Sequence, residues 1–238
     1  MKLLLALLLL TGELGAALAP GTIALYFDST KCSDETVDAT GNHPLTQVGD
    51  VPYGDNGQPV GTKSAGVFST LNYFRQNVSL PLAWFNTANS WTLQAYMKAP
   101  NSAGMTMVGN DRATNGLDFM VGIVNTAGTY YDNGTANVVN ATTLADNTWR
   151  HWAWTWNGTD LKLYIDNVLI YTSAVSGTMD SSDGPVSIGI YHLLASFAMN
   201  GYLNQLRLMN TVETSFPTVD PGFEDDDPCS NQVPGCVE

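Results

Sequence analysis

Beyond residue 20, no stretch of this 238-residue chain repeats its apolar residues at helical spacing. A helix needs such a stripe to bury against a core, so all-α and alternating α/β architectures are not expected. Short runs of β-type residues stand in its place, at 22–27, 91–98, 106–109, 117–124, 149–156, 161–165, 168–173, 186–190 and 201–209. Turn chemistry punctuates them, including Asp132-Asn-Gly, Trp156-Asn-Gly and Asp183-Gly-Pro. The clearest hairpin has Leu161, Leu163 and Ile165 alternating with Lys162, Tyr164 and Asp166, with Asp166-Asn167 as a two-residue turn. Many short strands without helices read as a sandwich or barrel. Neither an internal repeat nor a mid-chain linker interrupts the pattern, so a single domain over residues 20–218 is the simplest organisation.

Composition bears on where such a domain works and what it meets. Charged residues make up 13%, with 9 basic against 22 acidic side chains and a net charge of −13. Neutralising phosphates needs clustered Lys and Arg, so nucleic acid is not an expected partner. Adsorption to anionic membrane surfaces is disfavoured for the same reason. An acidic, polar-surfaced globule of this kind suits work outside a cell. Residues 3–10 form an apolar run behind Lys2, too short to span a bilayer as a helix. Residues 1–19 read either as a secretory signal peptide, cut after Ala17, or as a retained N-terminal assembly arm. Residues 219–238 form an acidic tail without apolar periodicity. The three cysteines, Cys32, Cys229 and Cys236, cannot all pair within one chain. Cys229 and Cys236 are candidates for a local disulfide that leaves Cys32 over; Cys32 bonded to a tail cysteine is the alternative. Four Asn-x-Ser/Thr sequons, at Asn77, Asn133, Asn140 and Asn157, matter where a host glycosylates.

One segment is more specific. Trp149-Arg-His-Trp-Ala-Trp-Thr-Trp-Asn-Gly-Thr-Asp-Leu-Lys-Leu-Tyr-Ile-Asp-Asn-Val-Leu resembles the Trp-x-His-x-Ala strand and Leu-x-Leu-Tyr-x-Asp-Gly hairpin of laminin-G-like domains. Flanking pieces agree in order. Tyr26-Phe27-Asp28 followed by Asp38-Ala-Thr-Gly-Asn42 resembles the opening of that pattern. Trp91-Thr-Leu-Gln-Ala-Tyr resembles its central strand, and Ile188-Gly189 with Asn200-Gly-Tyr-Leu-Asn-Gln-Leu-Arg-Leu resembles its close. The resemblance covers about residues 22–210 and implies an all-β, two-sheet antiparallel jelly-roll sandwich of the concanavalin A-like lectin and glucanase type. Asn42-His-Pro-Leu-Thr-Gln-Val-Gly is similar to versions in bacteriophage and aquatic-virus structural proteins. There are two departures: Asn167 stands where the hairpin usually has Gly, and Asn204-Gln205 replaces an acidic pair. Asn tolerates positive φ, so the first is physically acceptable.

Glycoside hydrolases with this fold need two carboxylates flanking the scissile bond. The five glutamates, Glu13, Glu35, Glu213, Glu224 and Glu238, all fall outside the expected core strands, and no Glu-x-Asp-x-x-Glu occurs. His43, His151 and His192 are scattered without metal-ligand spacing, and His151 is expected to be a hydrogen-bonded structural residue. Catalysis is not expected.

Binding is. Trp152, Trp154 and Trp156 alternate, so they share one face, with His151, Ala153 and Thr155 on the other. They read as core, or alternatively as a sugar-stacking platform. Tyr130 and Tyr131 beside Asp132-Asn133 are expected in a loop, and Tyr191-His192 form a second aromatic candidate. The resemblance also implies a structural calcium, with Asp28, Asp38 and Asn42 as ligands and Asn110-Asp111 with Asp118 as another option. The expected protein is a secreted or virion-surface recognition module for a glycan or cell-surface glycoprotein, multivalent as a homo-oligomer. The alternative is a capsid decoration or fibre protein contacting other virion proteins.

Overall fold

The computed structural model describes residues 23–27, 45–51, 53–54, 64–66, 71–76, 89–98, 105–110, 119–123, 128–133, 136–140, 147–174, 186–190 and 198–216. Among them are fifteen strands, here numbered in chain order, and no helix. All strand pairs are antiparallel and fall into two sheets, as the sequence implied. The first sheet runs β13 (Val168–Ala174), β12 (Asp160–Ile165), β11 (Trp149–Trp156), β6 (Trp91–Lys98), β15 (Tyr202–Met209), β4 (Ser64–Gly66) and β3 (Tyr53–Gly54), with β1 (Ile23–Phe27) also on β15. The second runs β10 (Ala136–Asn140), β9 (Gly128–Asn133), β8 (Phe119–Ile123), β7 (Met105–Asn110), β14 (Val186–Ile188), β5 (Tyr73–Gln76) and β2 (Leu45–Val48).

Register aligns apolar rows on the inner face of the first sheet. Leu208 lies opposite Leu93, Leu93 opposite Trp154, and Trp154 opposite Leu163. Across the sandwich, Phe74, Ile188, Val108 and Val121 form the facing row of the second sheet. All these side chains belong to one buried cluster, which is the core between the sheets. The Asp166-Asn167 turn has φ of 49° and 66°, both positive as a two-residue hairpin turn of this hand requires. β13 is the edge of the first sheet and exposes Val168, Leu169 and Ile170.

Six of these strands, β2 to β5, β9 and β10, are absent from the sequence expectation. Four of them, β3, β4, β9 and β10, carry Gly, Ser or Asn, which are poor strand formers in isolation. Pairing to neighbours already held by the core supplies what local propensity lacks.

Candidate functional site

Trp152, Trp154 and Trp156 fill the core at 1%, 1% and 2% exposure, so the sugar-stacking platform is overturned. The rings of Trp152 and Trp154 stack with centroids 5.8 Å apart. They sit on β11 directly opposite Ala95, Leu93 and Trp91 of β6, whose own side chains are buried with them.

The opposite face of the same strands is buried as well, and it is polar. Thr92, Gln94, His151, Thr155 and Arg207 are each covered, beside the apolar patch of Ala153, Tyr164 and Phe216. Part of the cover is residues 210–216, which follow β15 and cross back over the sheet as a strap. The Thr92 hydroxyl donates to the Thr211 carbonyl at 2.7 Å and accepts from the Glu213 N–H at 2.9 Å. At the far end, Phe216 N–H donates to Asn167 Oδ1 at 3.0 Å. A glycine at 167 would satisfy the turn but has no such oxygen, so this departure from the laminin-G-like pattern has a mechanical use. The other departure, at Asn204-Gln205, coincides with a bulge in which Gln205 adopts φ 48° and accepts from Arg207 at 3.4 Å.

His151 is the centre of this layer and has the structural role expected of it. Its Nε2 lies 2.9 Å from Gln94 Oε1; an amide oxygen only accepts, so Nε2 carries the proton. Nδ1 is then a bare lone pair, buried and without a hydrogen-bond partner among the described residues. The ring packs edge-on against Tyr96 and beside Phe216. Burial foremost, then the Arg207 guanidinium, pushes the imidazole down to about 4, with Asp166 pulling weakly the other way. A neutral, enclosed imidazole at ordinary pH is a poor general acid and a good packing element. Glu213 on the strap has its carboxyl raised by burial, partly offset by Arg207.

Tyr130 and Tyr131 lie in strand β9, not in a loop. The register pairs Tyr130 with Gly122 and Val138, and Tyr131 with Val121 and Asn137. Their polar, Gly-bearing surroundings, which read as a loop, are the hairpin that joins β9 to β10. Tyr191, His192, Asp28, Asp38, Asn42, Asp111, Asp118, Cys32, Cys229 and Cys236 lie outside the described residues, as do residues 1–22 and 217–238. Among the described residues no three His, Cys, Asp or Glu side chains group as a metal site. The buried polar layer and its strap went unread in the sequence except at His151; the other signal available was the run of polar residues alternating with apolar ones in β6.

The family model described as the concanavalin A-like lectin/glucanases superfamily matches residues 72–215. No curated protein matches the sequence. Solved structures of like fold include domain 4 of AbnA, an extracellular arabinanase from Geobacillus stearothermophilus, solved with arabinotriose; it is 15% identical, with 79% of this chain and 92% of that chain covered and a TM-score of 0.58. The binding domain of Paraclostridial Mosquitocidal Protein 1 is 15% identical over 81% of this chain and 50% of its own, with a TM-score of 0.58. The binding domain of botulinum neurotoxin serotype G is 10% identical over 81% and 49%, with a TM-score of 0.59. The chain thus spans about half the length of those toxin domains. At these identities the likeness is one of fold. With the family model covering more than half of the sequence and two antiparallel sheets enclosing the matched residues, the chain belongs to the concanavalin A-like lectin/glucanase superfamily.

Proposed function

We propose that this chain is a non-catalytic recognition module that binds glycans outside a cell or on a virion surface, with Tyr130, Tyr131, Tyr191 and His192 as its contacts. The register of the second sheet supports this reading. Tyr130 pairs with Gly122, beside the core-facing row of Val121, Val108 and Ile188, while Gly189 N–H donates to the Met107 carbonyl at 3.0 Å. The chain therefore leaves β14, three residues before Tyr191, beside the transverse row that holds Tyr130. Three strand spacings separate β9 from β14, about 14 Å, a span that a short oligosaccharide bridges. Aromatic faces at such positions suit the apolar C–H faces of pyranose rings.

Few carboxylates fall in the strands among the described residues. No strand among the described residues holds a glutamate, and the strand aspartates Asp132 and Asp160 lie in different sheets. The arabinanase domain of like fold is solved with arabinotriose. Calcium on Asp28, Asp38 and Asn42 belongs to the same proposal, as a staple for loops rather than a reagent. Several copies of the chain displayed together would raise avidity without new contacts.

A glycan array probed with the purified protein, with and without chelator, tests the reading. Binding that Tyr130→Ala removes while Tm holds would support it. A folded protein that binds no glycan in either condition refutes it.

A further inference from the structure

We infer that Asn157 is an acceptor for an N-linked oligosaccharide when the chain is exported through a glycosylating compartment. This goes beyond the glycan the module binds: it concerns one that the module carries. The triplet Asn157-Gly158-Thr159 forms the tip of the hairpin between β11 and β12, and all three residues are exposed. Asn157 Oδ1 accepts from Thr159 N–H at 2.9 Å and from Asp160 N–H at 2.7 Å. Asn157 N–H closes the turn on the Asp160 carbonyl at 3.4 Å. The carboxamide is thereby folded over its own third residue, the one whose hydroxyl defines the triplet. Gly158 takes φ 92°, and a Cβ built there meets nothing within 4 Å, so the space beside the turn is open.

The chemistry asks for this presentation. An amide nitrogen is a weak nucleophile, because its lone pair is shared with the carbonyl, and a transferase must reach it from solvent. Glycosyl transfer forms a bond from Asn157 Nδ2 to the anomeric carbon of a lipid-diphosphate-linked oligosaccharide. The anomeric C–O bond breaks, the lipid diphosphate leaves, and the amide gives up one proton to a base of the transferase. Asn133 and Asn140 offer a different setting. They end β9 and β10, and their backbones pair with Phe119 and Gly128 in the ladder. The Asn157 turn uses only contacts within four residues, so it forms while the chain is still incomplete and accessible.

Translation of the full chain in the presence of endoplasmic-reticulum microsomes tests the assignment. A second form, with a cleavable export signal ahead of Met1, ensures that chains reach the lumen, where resistance to added protease identifies them. Glycopeptide mass spectrometry of protected chains should find Asn157 occupied in most molecules, several-fold more than Asn133 or Asn140. Asn157→Asp keeps the oxygen that holds the turn and removes the acceptor nitrogen; Thr159→Val removes the hydroxyl. Each should lose one endoglycosidase-sensitive mobility step. Protected chains that carry no sugar at Asn157, or carry it only at other sequons, overturn the assignment.

Discussion

His151 makes stability pH-dependent in a direction fixed by its surroundings. In the folded protein its imidazole is held down to about 4 by burial and by Arg207, against an ordinary 6.5. Nδ1, where an added proton would go, meets no acceptor among the described residues. The unfolded chain therefore takes up this proton first as pH falls. The sign follows: the neutral native histidine costs nothing above about pH 7, and stability drains away as pH drops through 6.5 toward 4. Linkage between these two values gives a loss of about 2 kcal/mol by pH 5 and about 3 kcal/mol by pH 4. For a domain of ordinary stability, that is a substantial fraction of the whole.

The assay is urea unfolding followed by tryptophan fluorescence, for the natural protein and for His151→Gln, across this pH range. Gln does not titrate and still reaches Gln94. Its lost ring packing against Tyr96 and Phe216 adds a constant offset that does not change with pH. Carboxylates titrate in both proteins, Glu213 among them, whose raised carboxyl favours the native state at low pH. The difference between the two proteins at each pH removes that shared background. It should shrink by about 2 kcal/mol between pH 7.5 and pH 5, leaving the variant the flatter curve. Parallel curves would mean that His151 titrates alike in both states, and the picture of an enclosed neutral imidazole would be wrong.

Two further substitutions probe the packing. Trp154→Ala empties a site of 1% exposure facing Trp152, Leu93 and Leu163, so guanidinium unfolding should show a loss of about 3–5 kcal/mol, while a loss under 1 kcal/mol would return the stripe to the surface. Asn167→Gly keeps the turn but removes the acceptor for Phe216 N–H; amide exchange at Phe216 should quicken about five-fold or more, whereas Asn167→Asp, which keeps an oxygen, should leave it protected.

The first sheet was legible because its central strands carry unambiguous local patterns. Residues 91–98 and 149–156 are strands over those same bounds, since alternation, aromatic content and turn residues agree there. The hairpin turn at Asp166-Asn167 was legible for the same reason. β9 and β10 were not. Gly128, Asp132, Asn133, Asn137 and Asn140 are turn residues by habit, and only the pairing of β9 with β8 and of β10 with β9 makes a ladder of them. That is why Tyr130 and Tyr131, read as loop residues, lie in a strand.

Alternation also says which residues share a face without saying which face meets water. For β11 the question has a third answer, because both faces are covered. The tryptophans meet the core, and His151, Ala153 and Thr155 meet a polar layer under the strap. No single residue announces this. Asn167 looks like a tolerated substitute in a turn until Phe216, 49 positions later, returns to it. The consequence reaches function: Trp91, Trp152, Trp154 and Trp156 at the centre of the first sheet are spoken for by packing. The recognition surface proposed above draws instead on the second sheet, where β9 carries Tyr130.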